Sequence, residues 1–181
     1  MLYTHKELEK LLTSDYQIKI ALAEGKIFKI ERGIYSKTPY VHPLEVVVKK
    51  YPHAIFTMNS AFYFHGLTDV IPQKMYLAVK RTTTRRVSNS DIIYTYVQDK
   101  YLDLGKSQIE YEGVLITIYN KERMLIELVR NKRSMPFDYY KEIVASYRKI
   151  TDKLDTQNLE EYAAKFGIEE YIFKSIHEEV F

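Results

Sequence analysis

The chain has 181 residues, 46% of them hydrophobic, a formal net charge of +3 and no cysteine. That length holds one ordinary domain, or a small unit beside a larger one, and the hydrophobic content is that of a folded chain rather than a disordered one. Without cysteine there is no disulfide, Cys-ligated zinc, iron–sulfur cluster or thiol catalysis. The opening Met1-Leu2-Tyr3-Thr4-His5-Lys6-Glu7 lacks a signal-peptide core, and no stretch reaches membrane-span length, so the expectation is an intracellular, cytoplasmic protein without a membrane partner.

Charge is unevenly spread. Residues 1–38 carry a net +2, residues 39–106 a net +4 and residues 107–181 a net −3. A polyanion contact therefore belongs toward the front of the chain, against the plain alternative of a solvated surface.

Thr4 is placed to cap a helix running to Leu12, with Glu7 completing a capping box. Leu8, Leu11 and Leu12 fall on one face of it. Ser14 or Asp15 caps a second helix that runs to about Glu24, where Gly25 supplies a left-handed end. Ile18, Ala21 and Leu22 face inward on this helix, and Tyr16, Gln17, Lys19 and Ile20 face outward. Ile27-Phe28-Lys29-Ile30 and Ile34-Tyr35-Ser36 flank the turn Glu31-Arg32-Gly33 and read as a hairpin. Two short helices followed by a hairpin fit a helix-turn-helix with a wing.

Thr38-Pro39 and His42-Pro43 punctuate a linker. A helix then spans Pro43 to Tyr51, and Ala54-Ile55-Phe56-Thr57 reads as a buried strand. Asn59 or Ser60 is placed to cap a helix stopping near Gly66. Strands follow at Met75–Val79, Ile92–Val97 and Val114–Tyr119. The last third is helical, over Lys121–Asn131, Phe137–Ile150, Asn158–Phe166 and Glu169–His177. The fold class is α+β: a winged helix-turn-helix over residues 1–38, then a mixed α/β domain over 39–181 with a helical C-terminal end.

The outward residues of the second helix are suited to DNA. Gln17 reads adenine edges, Lys19 meets phosphate or guanine, Tyr16 reaches phosphate, and Ile20 completes the face toward the groove. Lys26, Lys29 and Arg32 neutralise phosphates from the wing. The plain alternative is a solvated amphipathic helix. Lys80-Arg81-Thr82-Thr83-Thr84-Arg85-Arg86 is the densest basic run. Its cations Lys80, Arg81, Arg85 and Arg86 extend a basic surface for DNA or an acidic partner, or form a solvated loop.

His65 precedes Gly66 as a hydrogen-bonded structural histidine near a helix C-terminus. Arg123, Glu127 and Arg130 share one side of a helix, where Arg123 and Glu127 pair on a solvated face. Nucleotide-binding glycine loops, zinc-protease motifs and nucleophile elbows are missing, so no catalytic residue, cofactor or metal site is assigned. Glu110, Glu112 and Lys121 around one strand are a weak match to a metal-dependent nuclease.

Two phrases carry a family resemblance: Gly25-Lys26-Ile27-Phe28-Lys29-Ile30-Glu31-Arg32-Gly33-Ile34-Tyr35, and Ser60-Ala61-Phe62-Tyr63-Phe64-His65-Gly66-Leu67-Thr68-Asp69 with Ile71-Pro72. The strand Met75 to Lys80 and the stretch Val114 to Met124 follow in order. In these, over roughly residues 4–130, the chain resembles the AbiEi-type antitoxin family, the transcriptional-regulator half of type IV toxin–antitoxin (abortive-infection) systems. The resemblance implies a bacterial cytoplasmic autorepressor that binds repeated sites in promoter DNA. It also implies a C-terminal domain that opposes a nucleotidyltransferase-like toxin without need of a stable complex. Two other readings stand beside it: a protein-interaction module whose winged helix is only structural, and a nuclease-like enzyme.

Overall fold

The computed structural model describes residues 1–83 and 90–180. Among these the chain is mixed α+β, and its contacts divide it into two compact units. One contains Met1–His53 together with Glu112–Ile116; the other contains Ala54–Tyr111 and the chain from Thr117 onward.

The first unit begins with β1 (Leu2–Thr4), α1 (His5–Leu12) and α2 (Asp15–Ala23). The hairpin β2 (Phe28–Glu31) and β3 (Ile34–Ser36) and the helix α3 (Pro43–Lys50) follow. Thr4 caps α1 by accepting from the Glu7 N–H, and the Glu7 carboxylate accepts from the Thr4 N–H at 2.7 Å, so the capping box is complete. Ser14 caps α2 by accepting from the Gln17 N–H. Gly25, at φ +68, closes α2. The Gly25 and Lys26 N–H groups turn back to the Leu22 and Ala21 carbonyls, a Schellman ending.

β3 is the middle of a three-stranded antiparallel sheet, ordered β1-β3-β2. Leu8, Ile18, Ala21 and Ile27 pack with Tyr3 and Tyr35 into this unit's core, with Leu12 and Leu22 partly buried against it. Leu11 departs from the expected face and is 62% exposed. The core sits on the Leu8 side of α1, and a helix this short buries one narrow stripe. β1 was not anticipated.

α3 packs on β1. His42 is its N-cap: Nδ1 accepts from the Leu44 N–H at 3.2 Å, while Nε2 lies 2.9 Å from the Glu112 carboxylate. Lys49 reaches Glu7 at 2.7 Å and Lys50 reaches Glu31 at 2.8 Å. The hydrogen bond from Lys49, joined by that from the Thr4 backbone, holds the Glu7 carboxyl down at about 2.

The second unit is built from β4 (Ile55–Phe56), α4 (Met58–Phe64), β5 (Met75–Lys80), β6 (Ile92–Val97), α5 (Asp99–Leu102), β7 (Lys106–Tyr111) and the end of β8 (Val114–Tyr119) from Thr117 onward. The helices α6 (Lys121–Arg130), α7 (Phe137–Arg148), α8 (Thr156–Phe166) and α9 (Glu169–Glu179) complete it. The sheet order is β6-β5-β4-β8-β7. β5 and β6 run parallel, β4 is antiparallel to β5, and β4 is parallel to β8 through Phe56 and Ile118. Glu112 and Gly113 both take positive φ between β7 and β8, the geometry of a tight hairpin turn.

α6 is the central helix. Met124, Leu125, Ile126, Leu128 and Val129 are all buried, and α4, α8 and α9 contact it. A helix apolar on most of its circumference must be enclosed in this way. Tyr140, Ile143, Val144 and Tyr147 of α7 and Leu159 and Ala163 of α8 extend the core.

The α4 cap differs from expectation. Thr57 is the N-cap, without a side-chain bond. Ser60 lies inside the helix and is fully buried; its Oγ accepts from the Tyr76 N–H at 2.9 Å. A buried strand donor needs a partner, and Ser60 supplies one that a cap at the surface would not.

Candidate nucleic-acid interface

Packing against the core decides which side chains of α2 are free. Ile18 and Ala21 are buried in the core, and the rotation per residue leaves the opposite face outward. Tyr16 is 69% exposed, Gln17 and Lys19 are exposed, and Ile20 is half-buried. His5 lies 3.0 Å from Asp15, tying the starts of the two helices together.

The three cations of the first basic phrase occupy different places. Lys26 sits at the exit of α2 and pairs with Glu24 at 2.7 Å, which offsets its charge. Lys29 is exposed on β2, opposite Tyr35 of β3. Arg32 is exposed in the turn, beside Gly33 at φ +82. Lys19, Lys29 and Arg32 make no salt bridge with any described residue. Their charges are available to phosphate, with little desolvation on the way.

In the second unit, Lys80 ends β5 and Arg81 follows it, both exposed. The Arg81 N–H donates to the Val97 carbonyl at 2.8 Å, which anchors the start of the basic run. Thr82 Oγ1 lies 3.4 Å from the Asp99 carboxylate. Arg85 and Arg86 lie outside the described residues.

The chain matches no protein-family model and no curated protein.

The second resembling phrase has a packing role. His65 caps α4, and its Nε2 donates to the Tyr119 carbonyl at 2.7 Å. Burial pushes the imidazole below its ordinary value, so the neutral ring is the stable form. Gly66, at φ +67, ends the helix. Thr68 Oγ1 and the Asp69 N–H both donate to Glu142 of α7, at 2.6 and 3.3 Å. The phrase thus fastens α4 to β8 and α7.

Arg123 is the largest departure from expectation. It is 1% exposed rather than solvated. Its Nε and Nη2 bind Glu127 at 3.0 and 2.9 Å, and its Nη1 donates to the Tyr101 and Leu104 carbonyls at 3.0 and 2.8 Å. The guanidinium lies between the Tyr119 and Phe166 rings, 4.5 and 4.6 Å from their centroids. Arg130 also bonds Glu127 and covers the Phe166 ring at 4.3 Å. Helical spacing identified the three charges but carried no signal of the carbonyls and rings around them.

Glu110, Glu112 and Lys121 are the residues of the weak nuclease match. Glu112 occupies a hairpin turn and is engaged by His42, while Glu110 is exposed on β7 and Lys121 opens α6. No group of three potential metal ligands occurs among the described residues, and no helix among them is long and apolar enough to cross a membrane.

Proposed function

We propose that the chain is a DNA-binding transcriptional regulator, with the first unit a winged helix that uses α2 as recognition helix and the β2–β3 hairpin as wing. The order strand, helix, helix, hairpin, with the first strand paired to the last, supports that reading. The observation that carries it is the outward face of α2, where Tyr16, Gln17 and Lys19 are exposed while the free cations Lys29 and Arg32 follow on the hairpin. Gln17 reads base edges, and Lys19, Lys29 and Arg32 hold phosphates. Lys80 and Arg81 are exposed cations of the second unit, open to DNA or an acidic partner in their own right.

The resemblance to AbiEi-type antitoxins gives the regulator its setting: a cytoplasmic autorepressor at repeated promoter sites, whose second unit opposes a nucleotidyltransferase-like toxin. The deciding experiment is fluorescence anisotropy of the full chain on DNA from upstream of its own gene, against a scrambled duplex, across a salt series. Sequence-preferring binding that weakens steeply with salt is expected. Equal binding to both duplexes, or none, overturns the regulator.

A second reading, a protein-interaction module, is favoured by the exposure of Leu11 and Tyr16. Rescue from a co-expressed neighbouring toxin that survives Lys29→Glu and Arg32→Glu selects it.

A further inference from the structure

The second unit holds an open cleft of about 700 Å³ between α6 and the parallel pair β5–β6. The strand register puts Tyr76 of β5 and Thr95 and Val97 of β6 on one face, and these form its floor. Glu127 and Arg130 form the wall, with the enclosed Arg123 behind them, and Arg81 is exposed beside the strands. Three arginines against one glutamate leave the lining with a net positive charge.

Glu127 does not repel an anion, because Arg123 and Arg130 already share its carboxylate. Arg130 uses only Nη1 in that contact, which leaves Nη2 and Nε unbonded to any described residue. Arg81 is exposed and forms no salt bridge with a described residue. Two guanidinium donors therefore point to an anionic ligand.

The size of the cleft lies in the range of small-molecule sites, well above that of a lone phosphate. Its floor is a sheet face carrying an aromatic ring, a hydroxyl and an aliphatic side chain. Such a lining suits a flat heteroaromatic group with polar edges. We propose that this cleft binds a nucleoside phosphate, with the phosphates on Arg81 and Arg130 and the base over the floor at Tyr76 and Thr95. The proposal rests on the second unit alone and stands or falls apart from duplex binding by the first.

The test is isothermal titration of the full chain with ATP, adenosine, inorganic tripolyphosphate and a short single-stranded oligonucleotide bearing a 5′-phosphate. ATP is expected to bind, with adenosine and tripolyphosphate each weaker by about tenfold or more, since each supplies part of the contacts. Arg81→Glu is expected to weaken ATP by at least roughly tenfold, and Arg130→Gln by less. Circular dichroism checks that each variant is folded. Lys149→Glu makes the same charge change at an exposed residue of the second unit that does not line the cleft, and keeps wild-type affinity for ATP.

If the oligonucleotide binds more tightly than ATP and loses that affinity with Arg81→Glu, the nucleotide belongs to a strand end. The reverse order assigns a free nucleotide. Tripolyphosphate binding as tightly as ATP, equal loss in Arg81→Glu and Lys149→Glu, or no ATP binding overturns the proposal.

Discussion

Arg123 and Phe166 meet with the guanidinium 4.6 Å from the ring centroid, joining the first turn of α6 to the last residue of α8. The contact is one side of a fully enclosed cation, with Tyr119 on the other side and Glu127 and two backbone carbonyls at its edge. Removing the cation leaves Glu127, which is only slightly exposed, and both carbonyls with lost partners. Arg123→Met is expected to destabilise the chain by about 3–5 kcal/mol, read from urea unfolding. A loss under about 1 kcal/mol would show that the network contributes little.

Gly105 meets the same residue from the other side. It has φ +75, and a Cβ there would lie 2.5 Å from Arg123 Cβ. Both atoms are close to the backbone, so neither side has a flexible end to move. Gly105→Ala is expected to lose about 2 kcal/mol or more, from left-handed strain and overpacking together. Gly113→Ala meets no atom within 4 Å and carries strain alone, so its loss in the same assay should be the smaller.

Three groups, His65, Glu7 and Glu179, have lowered values in the fold and set the acid-side pH dependence; at Glu179 burial opposes the shift, and hydrogen bonds from Lys132 and Tyr140 hold the carboxyl down. His65 is displaced below 6.5 by burial, so the folded state resists its protonation. Its contribution is fully present above 6.5 and is lost as pH falls through the folded value. Glu7 is held at about 2 against an ordinary 4.5, so its contribution is present above 4.5 and is lost as pH falls toward about 2. Stability measured from neutral pH downward should therefore fall in two windows. His65→Gln removes the upper one, Glu7→Gln reduces the lower, which Glu179 shares, and unchanged slopes in both variants would rule out this assignment.

If the first unit binds DNA as proposed, phosphate and base contacts separate by salt. Lys29→Ala and Arg32→Ala should each reduce the slope of log affinity against log salt by about 0.9, with sequence preference kept. Gln17→Ala should keep the slope and relax the preference at one base pair, by about 1–3 kcal/mol. Anisotropy titrations on matched and substituted duplexes at several salt concentrations read both quantities.

What the sequence made legible is mostly local. The caps at Thr4 and Ser14 and the glycine ends at Gly25 and Gly66 all depend on groups a few residues apart, and each lies where the residues indicate. The strands rich in β-branched and aromatic residues were readable for the same reason. β1 and β7 were not. β1 is three residues long and is defined by its pairing with β3, while β7 reads Lys-Ser-Gln-Ile-Glu-Tyr, too polar to signal a strand by itself. Ser60 resembled a cap until its distant partner, the Tyr76 N–H, was known. Arg123 resembled a surface charge because its burial is produced by Tyr101, Leu104 and Phe166, all outside its own helix. The exposure of Tyr16, Gln17 and Lys19 on α2 followed from periodicity; the half-burial of Ile20 and the pairing of Lys26 with Glu24 did not.

The pairing of Phe56 with Ile118 has a consequence for synthesis on the ribosome. β4 sits between β5 and β8, so one of its edges is filled soon after it emerges and the other only when Ile118 has cleared the exit tunnel. Until then the nascent chain carries Ile55 and Phe56 with an open strand edge, the kind of surface that invites chaperones. The first three strands have no such wait, because β1, β2 and β3 all lie within the first 36 residues. Vectorial synthesis thus lets that sheet form early, while the larger one is completed late.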